Sequence, residues 1–516
     1  MTTTAARTAN PMAVYPVICA VLLVVQLVIH SGVGPFVASR SLLLALLVGL
    51  AVAVIGRVAL GDTHRGGIFG VLVIMLLVGG TDIRVAILLG SLILLLFAER
   101  FLLPERHRPR WHRIGGAVSM VARILVVVVA IEAISVGAIG VWASSVLTEG
   151  SVSRPAVAST SVPEDPDIYF ILLDGYARSD ALAAVFDYDD RSFLSALEAR
   201  GLHVASASRS NYPLTAQTMA SMFHMALLGE IEATAPLLAK STNRPSGAVI
   251  REAINRNPTF DFLRGRGYSI TAISSGFEEV AIREADTFVD SGELNEFEIG
   301  MLRRTILGDV VSVLAPDFVS SQQRTRIARS FGELAVIAAS ESNRPRFVFA
   351  HIPSPHPPWV YNADGSPRTV PAIDATYADT PAQTGLSLTE LRSGYVGAVQ
   401  FIHSPVIGVI DRIDRASATP PVIVVFSDHG SWIGADGGDV RLRLLNFFAA
   451  RVPGQPDLFP EDVTLVNVMP TLLGGLFGSD FPRTEPDPSF VYRFGDPYDL
   501  IEVPDPNAAI PVGATP

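Results

Sequence analysis

The distribution of apolar residues along the 516-residue chain limits its fold more than any other feature. Apolar residues make up 49% of the sequence, and the excess lies almost wholly before residue 150. A membrane-spanning helix needs roughly 20 mainly apolar residues. We therefore predict about five membrane helices within residues 1–147, with four as the alternative, because the stretch 67–99 is long for one helix and short for two. The apolar runs occupy about 12–34, 41–60, 67–80, 83–99 and 117–146.

The segment between the fourth and fifth runs sets the predicted orientation. It contains five arginines: Arg100, Arg106, Arg108, Arg110 and Arg113. Short basic loops stay on the cytoplasmic side of a membrane. The fifth run then crosses outward, so everything after about residue 147 is predicted to be extracytoplasmic.

The amino-acid composition indicates the kind of organism and argues against one class of partner. Lysine occurs once, at Lys240, and the preference for Arg, Ala, Val and Gly is typical of a GC-rich bacterial genome. We therefore expect a multi-pass protein of the bacterial cell membrane. The net charge of −11, with acidic residues concentrated in the later part, argues against a nucleic-acid partner. The single cysteine, Cys19, lies in the first apolar run and leaves the later domain without a disulfide.

Three segments follow the membrane region. Residues 148–166 are rich in Ser, Thr, Val and Pro without a helical or strand period, which indicates a linker. Residues 167–502 have the composition of a globular domain, and residues 503–516 are predicted to be a disordered tail.

The globular domain alternates short apolar runs with helical stretches. Continuous apolar runs are typical of strands covered on both faces, as in a parallel sheet. We predict an α/β domain with a central, mostly parallel sheet flanked by helices, and such sheets carry their sites at the carboxyl ends of the strands. The candidate strands are Ile168–Leu173, Ser269–Ser274, Arg346–His351, Val422–Ser427 and Leu445–Arg451, and the candidate helices are Ser192–Arg200, Ala216–Leu228, Arg324–Ser340 and Leu388–Arg412.

The residues at three strand ends carry the chemistry. Asp174 follows the first strand, Asp428 and His429 follow another, and a third leads into His351 and His356. Oxygen and nitrogen ligands without a thiolate suit Mn²⁺, Zn²⁺, Mg²⁺ or Ca²⁺. Each signal also has an ordinary interpretation, since Asp-Gly occurs in turns and a histidine among prolines can be a surface residue.

A candidate nucleophile, Thr215, stands where a Pro-containing turn leads into a helix. The free N–H groups and the dipole at a helix N-terminus favour an alkoxide and a bound phosphate. A threonine there can equally be a helix cap.

These residues together resemble the alkaline phosphatase superfamily. The run Thr215–Phe223 is similar to the nucleophile segment of lipid A phosphoethanolamine transferases, and five spans before an external domain are similar to lipoteichoic acid synthases. The pieces Arg443–Gly454 and Val466–Leu473 are similar to sulfatase-like domains. The resemblance covers roughly residues 166–495 and implies the α/β fold of that superfamily.

The resemblance implies one divalent metal ion, with Mn²⁺ or Zn²⁺ favoured over Mg²⁺ or Ca²⁺. Its ligands would be Asp174, Thr215, Asp428 and His429. A second metal is disfavoured because no histidine follows His429. Formylglycine chemistry is disfavoured because no Cys or Ser stands in a Cys/Ser-x-Pro-x-Arg setting.

The resemblance also implies roles in the reaction. Thr215 would be the nucleophile and carry a phospho-enzyme intermediate, and His356 would hold or protonate the leaving group. His351 and Asn211 are the candidate substrate-binding residues. The disulfides common in phosphoethanolamine transferases are absent, which weakens the expectation of that particular substrate.

The expected function is a membrane-anchored, metal-dependent phospho-transferase or hydrolase acting outside the cytoplasm. The anchor favours transfer of a phospholipid headgroup, of the phosphoglycerol or phosphoethanolamine type, to an envelope glycan or lipid. The expected partners are therefore the lipid bilayer and a phospholipid or glycan substrate, with the oligomeric state open. One alternative is a sulfate-ester or phosphodiester hydrolase. An alternative of another class is a catalytically inactive membrane sensor or scaffold.

Overall fold

The chain divides into two compact units. The first comprises Met1–Ala138 and Glu296–Ala315, and the second comprises Ile139–Asn295 and Pro316–Pro516. A computed structural model describes residues 13–31, 37–79, 82–103, 111–149, 165–239, 246–290, 292, 294–370, 381–433, 439–493, 496–508 and 510.

Apolar helices form the first unit, at the positions of the five apolar runs. With helices numbered along the chain, they are α1 (Tyr15–Ser31), α2 (Ser39–Leu60), α3 (Thr63–Gly79), α4 (Ile83–Leu102) and α5 (Trp111–Glu149), of which α5 continues into the second unit. By length and composition, Ser39–Leu60, Arg84–Leu102 and Arg113–Ile131 could each cross a membrane, whereas α1 and α3 are shorter apolar helices. The first unit therefore holds several candidate membrane spans, as the sequence predicts. Its later segment adds α12 (Glu296–Arg303) and α13 (Ile306–Leu314).

Polar contacts gather three helix ends of the first unit in one place. The Arg100 guanidinium donates to the carbonyl oxygen of Leu60 at 3.1 Å, and Arg65 donates to the Glu99 carboxylate at 3.2 Å. The end of α2, the start of α3 and the end of α4 thus lie together. Successive helices in this part of the unit are therefore antiparallel.

A seven-stranded sheet forms the centre of the second unit. Its order is β2-β7-β6-β1-β5-β3-β4. β7 is antiparallel to β6 and β2, and the other pairs are parallel, which confirms the mostly parallel sheet. The strands are β1 (Ile168–Leu173), β2 (His203–Val204), β3 (Ser269–Ser274), β4 (Thr287–Asp290), β5 (Arg346–Ile352), β6 (Val422–Phe426) and β7 (Phe448–Arg451), with a separate hairpin of β8 (Ser489–Tyr492) and β9 (Leu500–Val503).

Helices cover both faces of this sheet. Alternate residues of a strand point to opposite faces, so Phe170 packs in the cluster on one face and Ile171 in the cluster on the other. α8, α10, α11 and α17 contribute to the first cluster, and α6, α7, α14 and α16 to the second. The helices of this unit are α6 (Ser179–Phe186), α7 (Arg191–Glu198), α8 (Thr215–His224), α9 (Ala235–Leu238), α10 (Ser246–Asn255), α11 (Pro258–Gly265), α14 (Phe318–Ala339), α15 (Pro381–Thr384), α16 (Leu388–Ala416) and α17 (Val468–Phe477).

α16 is long and apolar enough to count as a candidate membrane span by composition. Its apolar side chains nevertheless face the sheet, where Val399, Ile402 and Val409 are fully buried. We therefore interpret it as a core helix of the α/β unit.

The last large strand begins later than the sequence predicts. β7 starts at Phe448 instead of Leu445, because the carbonyl oxygen of Leu445 accepts a hydrogen bond from the Arg178 N–H at 3.0 Å. The preceding residues Val440–Arg443 form a 3-10 turn. That turn carries a side chain into the site described below.

The two predicted connecting segments are described only in part. Residues 150–164 of the predicted linker and residues 511–516 of the predicted tail lie outside the described residues. Within the predicted tail, Asn507 accepts a hydrogen bond from Arg178 at 2.7 Å and donates one to the carbonyl oxygen of Ala207 at 3.1 Å. This part of the tail is therefore held against the α/β unit.

Candidate metal centre

Four predicted site residues meet at one edge of the sheet. Asp174 follows β1, and Asp428 and His429 follow the neighbouring strand β6. Parallel strands present their carboxyl ends at the same edge, so the two segments lie side by side. Thr215 is the first residue of α8, and its hydroxyl oxygen lies 3.4 Å from Nε2 of His429.

The Asp174 carboxylate is fully buried. Its Oδ2 atom lies 2.9 Å from Nε2 of His351, while Oδ1 has no hydrogen-bond partner among the described residues. Burial acts to raise the pKa of Asp174, but the neighbouring His356, His351 and His429 outweigh it and hold the pKa below its ordinary value. The group is therefore ionised and presents one unsatisfied oxygen.

The Asp428 carboxylate is also fully buried. Its Oδ1 atom accepts a hydrogen bond from the Gly175 N–H at 3.1 Å, and Oδ2 has no hydrogen-bond partner within the described part of the chain. Burial, together with the charge on Asp174, raises the pKa of Asp428 to about 6. Gly175 has a φ of +75°, a conformation that glycine adopts without steric cost, and this turn aims its N–H at the carboxylate.

His429 has a fixed tautomer, since its Nδ1–H donates to the carbonyl oxygen of Gly430 at 2.9 Å. Nε2 is then unprotonated and lies beside the carboxylates. Nε2 lies 3.8 Å from Oδ1 of Asp174 and 3.2 Å from Oδ2 of Asp428. Burial, followed by the charge of Arg443, lowers the pKa of His429 well below its ordinary value, so the ring is neutral, which is the form that binds metals.

These atoms fit a divalent cation. One ligand atom each from Asp174, Asp428 and His429 lies within 4.8 Å of the others. Ligands at the usual ~2.0–2.2 Å from a tetrahedral metal are about 3.3 Å apart, which is close to the spacing found here. Two buried carboxylate oxygens without hydrogen-bond partners, beside a histidine lone pair, are costly unless a cation lies between them. The chain thus has a candidate metal site of two aspartates and one histidine, with the Thr215 hydroxyl beside it.

Arg443, from the 3-10 turn before β7, is a site residue that the sequence did not single out. It is 5% exposed and donates to the carbonyl oxygens of Pro213 and Gly430 at 2.7 Å each. A third nitrogen donates a hydrogen bond to Nε2 of His429 at 2.8 Å. The guanidinium therefore joins the turn before α8 to the loop after β6 and adds a buried positive charge next to the cluster.

The other predicted residues lie in different surroundings. His356 is partly exposed, and its Nδ1–H donates to the carbonyl oxygen of Pro357 at 2.6 Å. It is near enough to act electrostatically on Asp174 and His429. His351 is 2% exposed and lies against Asp174, which leaves little surface for a substrate.

Asn211 does not join the cluster. Its side-chain oxygen accepts from the Val466 N–H at 3.0 Å, and its amide nitrogen donates to the carbonyl oxygen of Pro488 at 3.0 Å. The side chain is 1% exposed. Its polar atoms thus tie the turn before α8 to the C-terminal part of the unit, and nothing in this arrangement supports the predicted substrate contact.

Substitution of Gly430 tests how tightly this loop is packed. A Cβ atom at this position would lie 2.2 Å from the carbonyl oxygen of Leu442 and 2.8 Å from that of Leu445. We expect Gly430→Ala to lower stability by roughly 1–3 kcal/mol and to weaken metal binding, because His429 is the preceding residue. Thermal unfolding of the full chain, with and without metal, measures both effects. The control is Gly332→Ala in α14, where the added methyl meets nothing within 4 Å; a Gly430→Ala protein as stable as this control would contradict the packing argument.

The fold and the site define a class: an α/β enzyme domain with a candidate metal centre at the carboxyl ends of its central strands. A family model described as sulfatase matches residues 166–450, more than half of the chain. The chain belongs to the sulfatase family and is an enzyme of the alkaline phosphatase superfamily. A comparison with curated proteins yields no match to this chain.

Several solved structures resemble the chain at low sequence identity. The C-terminal periplasmic domain of EcEptC from Escherichia coli, in complex with Zn, has 13% identity and a TM-score of 0.44, with 67% of this chain and 94% of that chain covered. The soluble domain of lipooligosaccharide phosphoethanolamine transferase A from Neisseria meningitidis has 13% identity and a TM-score of 0.38, with 63% and 90% covered. The integral membrane form of that transferase, also from Neisseria meningitidis, has 13% identity and a TM-score of 0.39, with 90% and 94% covered.

Proposed function

We propose that the chain is a metal-dependent transferase or hydrolase of phosphate esters that acts outside the cytoplasm with Thr215 as its nucleophile. The placement of the Thr215 hydroxyl carries this proposal. It lies at the first residue of α8, 3.4 Å from the lone-pair nitrogen of His429 and beside two buried carboxylates. A cation held by these groups would make the hydroxyl lose its proton more readily than a free threonine does.

Asp174, Asp428 and His429 would hold the metal, with the Thr215 hydroxyl as a further ligand. Two carboxylates, an imidazole and a hydroxyl without a thiolate suit Zn²⁺ or Mn²⁺ better than Ca²⁺, which takes six to eight oxygen ligands. The ion would supply positive charge that lowers the hydroxyl pKa and offsets the negative charge developing on the substrate.

In the first chemical step the Thr215 hydroxyl gives up its proton to solvent, and its oxygen Oγ forms a bond to the phosphorus of a diester. The bond from phosphorus to the leaving oxygen breaks, and that oxygen takes up a proton. We assign the supply of this proton to His356, which is partly exposed and lies near the cluster. The buried guanidinium of Arg443 and the free N–H groups at the start of α8 stabilise the negative charge.

The second step releases the group from Thr215. An acceptor hydroxyl gives its proton to His356, and its oxygen attacks the phosphorus. The bond from phosphorus to Thr215 breaks, and Thr215 Oγ takes up a proton from solvent. If the acceptor is water, the overall reaction is hydrolysis. If it is the hydroxyl of an envelope glycan or lipid, the reaction is a transfer, and the apolar helices of the first unit favour a phospholipid headgroup donor of the phosphoglycerol or phosphoethanolamine type.

The orientation of the chain rests on the basic segment between α4 and α5. If that segment is cytoplasmic, the antiparallel helices bring the start of α2 to the outer side. Arg40, at that end, forms a salt bridge of 2.6 Å with Glu298 of α12. Because α12 lies in the chain between two strands of the α/β unit, this pair supports an extracytoplasmic position for that part of the chain.

Cysteine labelling tests this topology. In a Cys19→Ser background, we expect Arg191→Cys, at the exposed start of α7, to react with a membrane-impermeant maleimide in spheroplasts. We expect Arg108→Cys to react only after the membrane is permeabilised. The reverse pattern would contradict the proposed orientation without bearing on the chemistry.

Turnover of a chromogenic ester panel tests the chemistry. The panel holds a phosphodiester, a phosphomonoester and a sulfate ester, and the full chain is assayed with added Mn²⁺ or Zn²⁺. Cleavage of the diester that depends on metal and on Thr215 supports the proposal. Cleavage of the sulfate ester alone would favour the sulfate-ester hydrolase, and inactivity on every ester without bound metal would favour the inactive scaffold.

A further inference from the structure

The two helices α12 and α13 form a hairpin that belongs to the membrane-helix unit although it lies between β4 and α14 in the chain. Gly308 of α13 lies so close to α12 that a Cβ atom there would be 2.6 Å from the carbonyl oxygen of Leu302. The two helices are therefore tightly crossed. We call residues 296–315 the α12–α13 hairpin.

The α12–α13 hairpin is attached to the N-terminal helices by two kinds of contact. Phe297 is 6% exposed and packs in one apolar cluster with Val24, Ala45 and Ile74. Glu298, 9% exposed, accepts two hydrogen bonds from the Arg40 guanidinium at 2.8 and 2.6 Å. α13 also packs against α3. A fork-shaped ion pair beside an apolar contact fixes the orientation of the hairpin.

The outer face of α13 is apolar and uncovered within the described part of the chain. Its four most exposed large side chains recur at helical spacing and form a single stripe. In the described α/β unit, by contrast, the only large apolar side chains of comparable exposure are Val336, Val440 and Ile501, each in a different element. The stripe consists of Leu307 (51% exposed), Val310 (44%), Val313 (77%) and Leu314 (78%).

We propose that this stripe is a membrane-contact surface, with its side chains among the acyl chains of the bilayer that the N-terminal helices cross. The proposal rests on the membrane embedding proposed above. The stripe is continuous with the N-terminal helices, because α13 packs on α3. Its side chains are also as exposed as those on the outer face of α2, where Leu47 is 52% and Val58 is 79% exposed.

The length of the hairpin fits an interfacial position. A helix of nine residues is about 14 Å long and cannot cross a hydrocarbon core of about 30 Å. It can lie at the surface with its apolar face buried, as amphipathic helices do. Arg304, exposed at the turn between α12 and α13, suits the phosphate groups of lipids at that depth.

Site-specific fluorescence quenching in proteoliposomes tests this surface. The full chain, in a Cys19→Ser background, carries a bimane label at Val313→Cys and is reconstituted in phosphatidylcholine and phosphatidylglycerol. We expect a doxyl group on the acyl chain to quench this label about as strongly as a label at Leu47→Cys on α2. Ser312→Cys, which is half-buried and lies outside the stripe, is the matched control and should be quenched less.

The remaining outcomes overturn the inference. Quenching of the Val313 label by aqueous iodide, but not by doxyl lipid, would place the stripe in water. Protection from both quenchers would mean that protein covers it, either a second copy or another part of this chain. Failure of the Leu47 label to be quenched by lipid would instead contradict the membrane embedding, so the two failures are distinguishable.

Discussion

Thr215→Ala is expected to lower the turnover of a phosphodiester by at least about 10³-fold, as the loss of a nucleophile does in other enzymes. The reason is that no other hydroxyl in the cluster lies within hydrogen-bond distance of His429 Nε2 among the described residues. The methyl side chain of alanine leaves the start of α8 intact, because the helix makes no side-chain cap hydrogen bond there. Stability should therefore change little while activity is lost.

Two companion variants make this result specific. Thr215→Ser keeps the hydroxyl and should retain activity between those of the wild type and Thr215→Ala. Thr287→Ala, at an exposed position in β4, should behave as the wild type. The assay is steady-state turnover of the full chain with saturating metal. Equal loss in Thr215→Ser and Thr215→Ala would show that the position matters for packing and not for its hydroxyl.

Asp428→Asn is expected to remove the response to metal and, at neutral pH, to stabilise the metal-free protein. The metal response is lost because the substitution removes one of two buried carboxylate ligands. A metal at a thousandfold excess over its Kd stabilises a fold by about 4 kcal/mol. This stabilisation by metal should be absent from Asp428→Asn. The stabilisation of the metal-free protein follows because Asp428 and Asp174 are buried like charges. Asparagine keeps the oxygen that accepts the Gly175 N–H.

The pH dependence of that stabilisation has a definite sign. In the folded, metal-free protein the pKa of Asp428 is raised to about 6 from an ordinary value of 3.8. Protonation therefore favours the folded state, and the wild type loses stability as pH rises from about 4 through about 6. The difference between Asp428→Asn and the wild type should thus be large at pH 7 and should shrink below pH 6.

Thermal unfolding across this pH range, with and without Mn²⁺ or Zn²⁺, measures both effects. Asp190→Asn is the matched control, because Asp190 is equally buried but bonds to Tyr176 and Ser179 away from the cluster. It should keep the full metal response. A metal response retained in Asp428→Asn would contradict the ligand set.

Local sequence signals predicted the parts of the site that lie next to strands. Ile168–Leu173 and Ser269–Ser274 form strands at the predicted bounds. The first is an almost wholly apolar run, which fits a strand buried on both faces. Asp174, Asp428 and His429 then came together for a topological reason, since both segments end at the same edge of the sheet.

The parts of the site that were not predicted depend on contacts between residues that are far apart in the chain. Arg443 reaches His429 through a 3-10 turn, and its other partner, Pro213, is 230 residues away. Asn211 stands four residues before Thr215, yet its side-chain amide forms hydrogen bonds with the backbone of Val466 and Pro488. The α12–α13 hairpin gives no sequence signal for a membrane, because its apolar run is too short to span one.

The most direct test of the central claim is mass analysis of the full chain quenched in acid during turnover of a phosphodiester. A nucleophilic Thr215 predicts a covalent adduct with the mass of the transferred phosphoryl group on the peptide that contains this residue. The adduct should be absent from Thr215→Ala and should disappear when an acceptor is added. Turnover without any adduct on Thr215, or an adduct on another residue that persists in Thr215→Ala, would contradict the account.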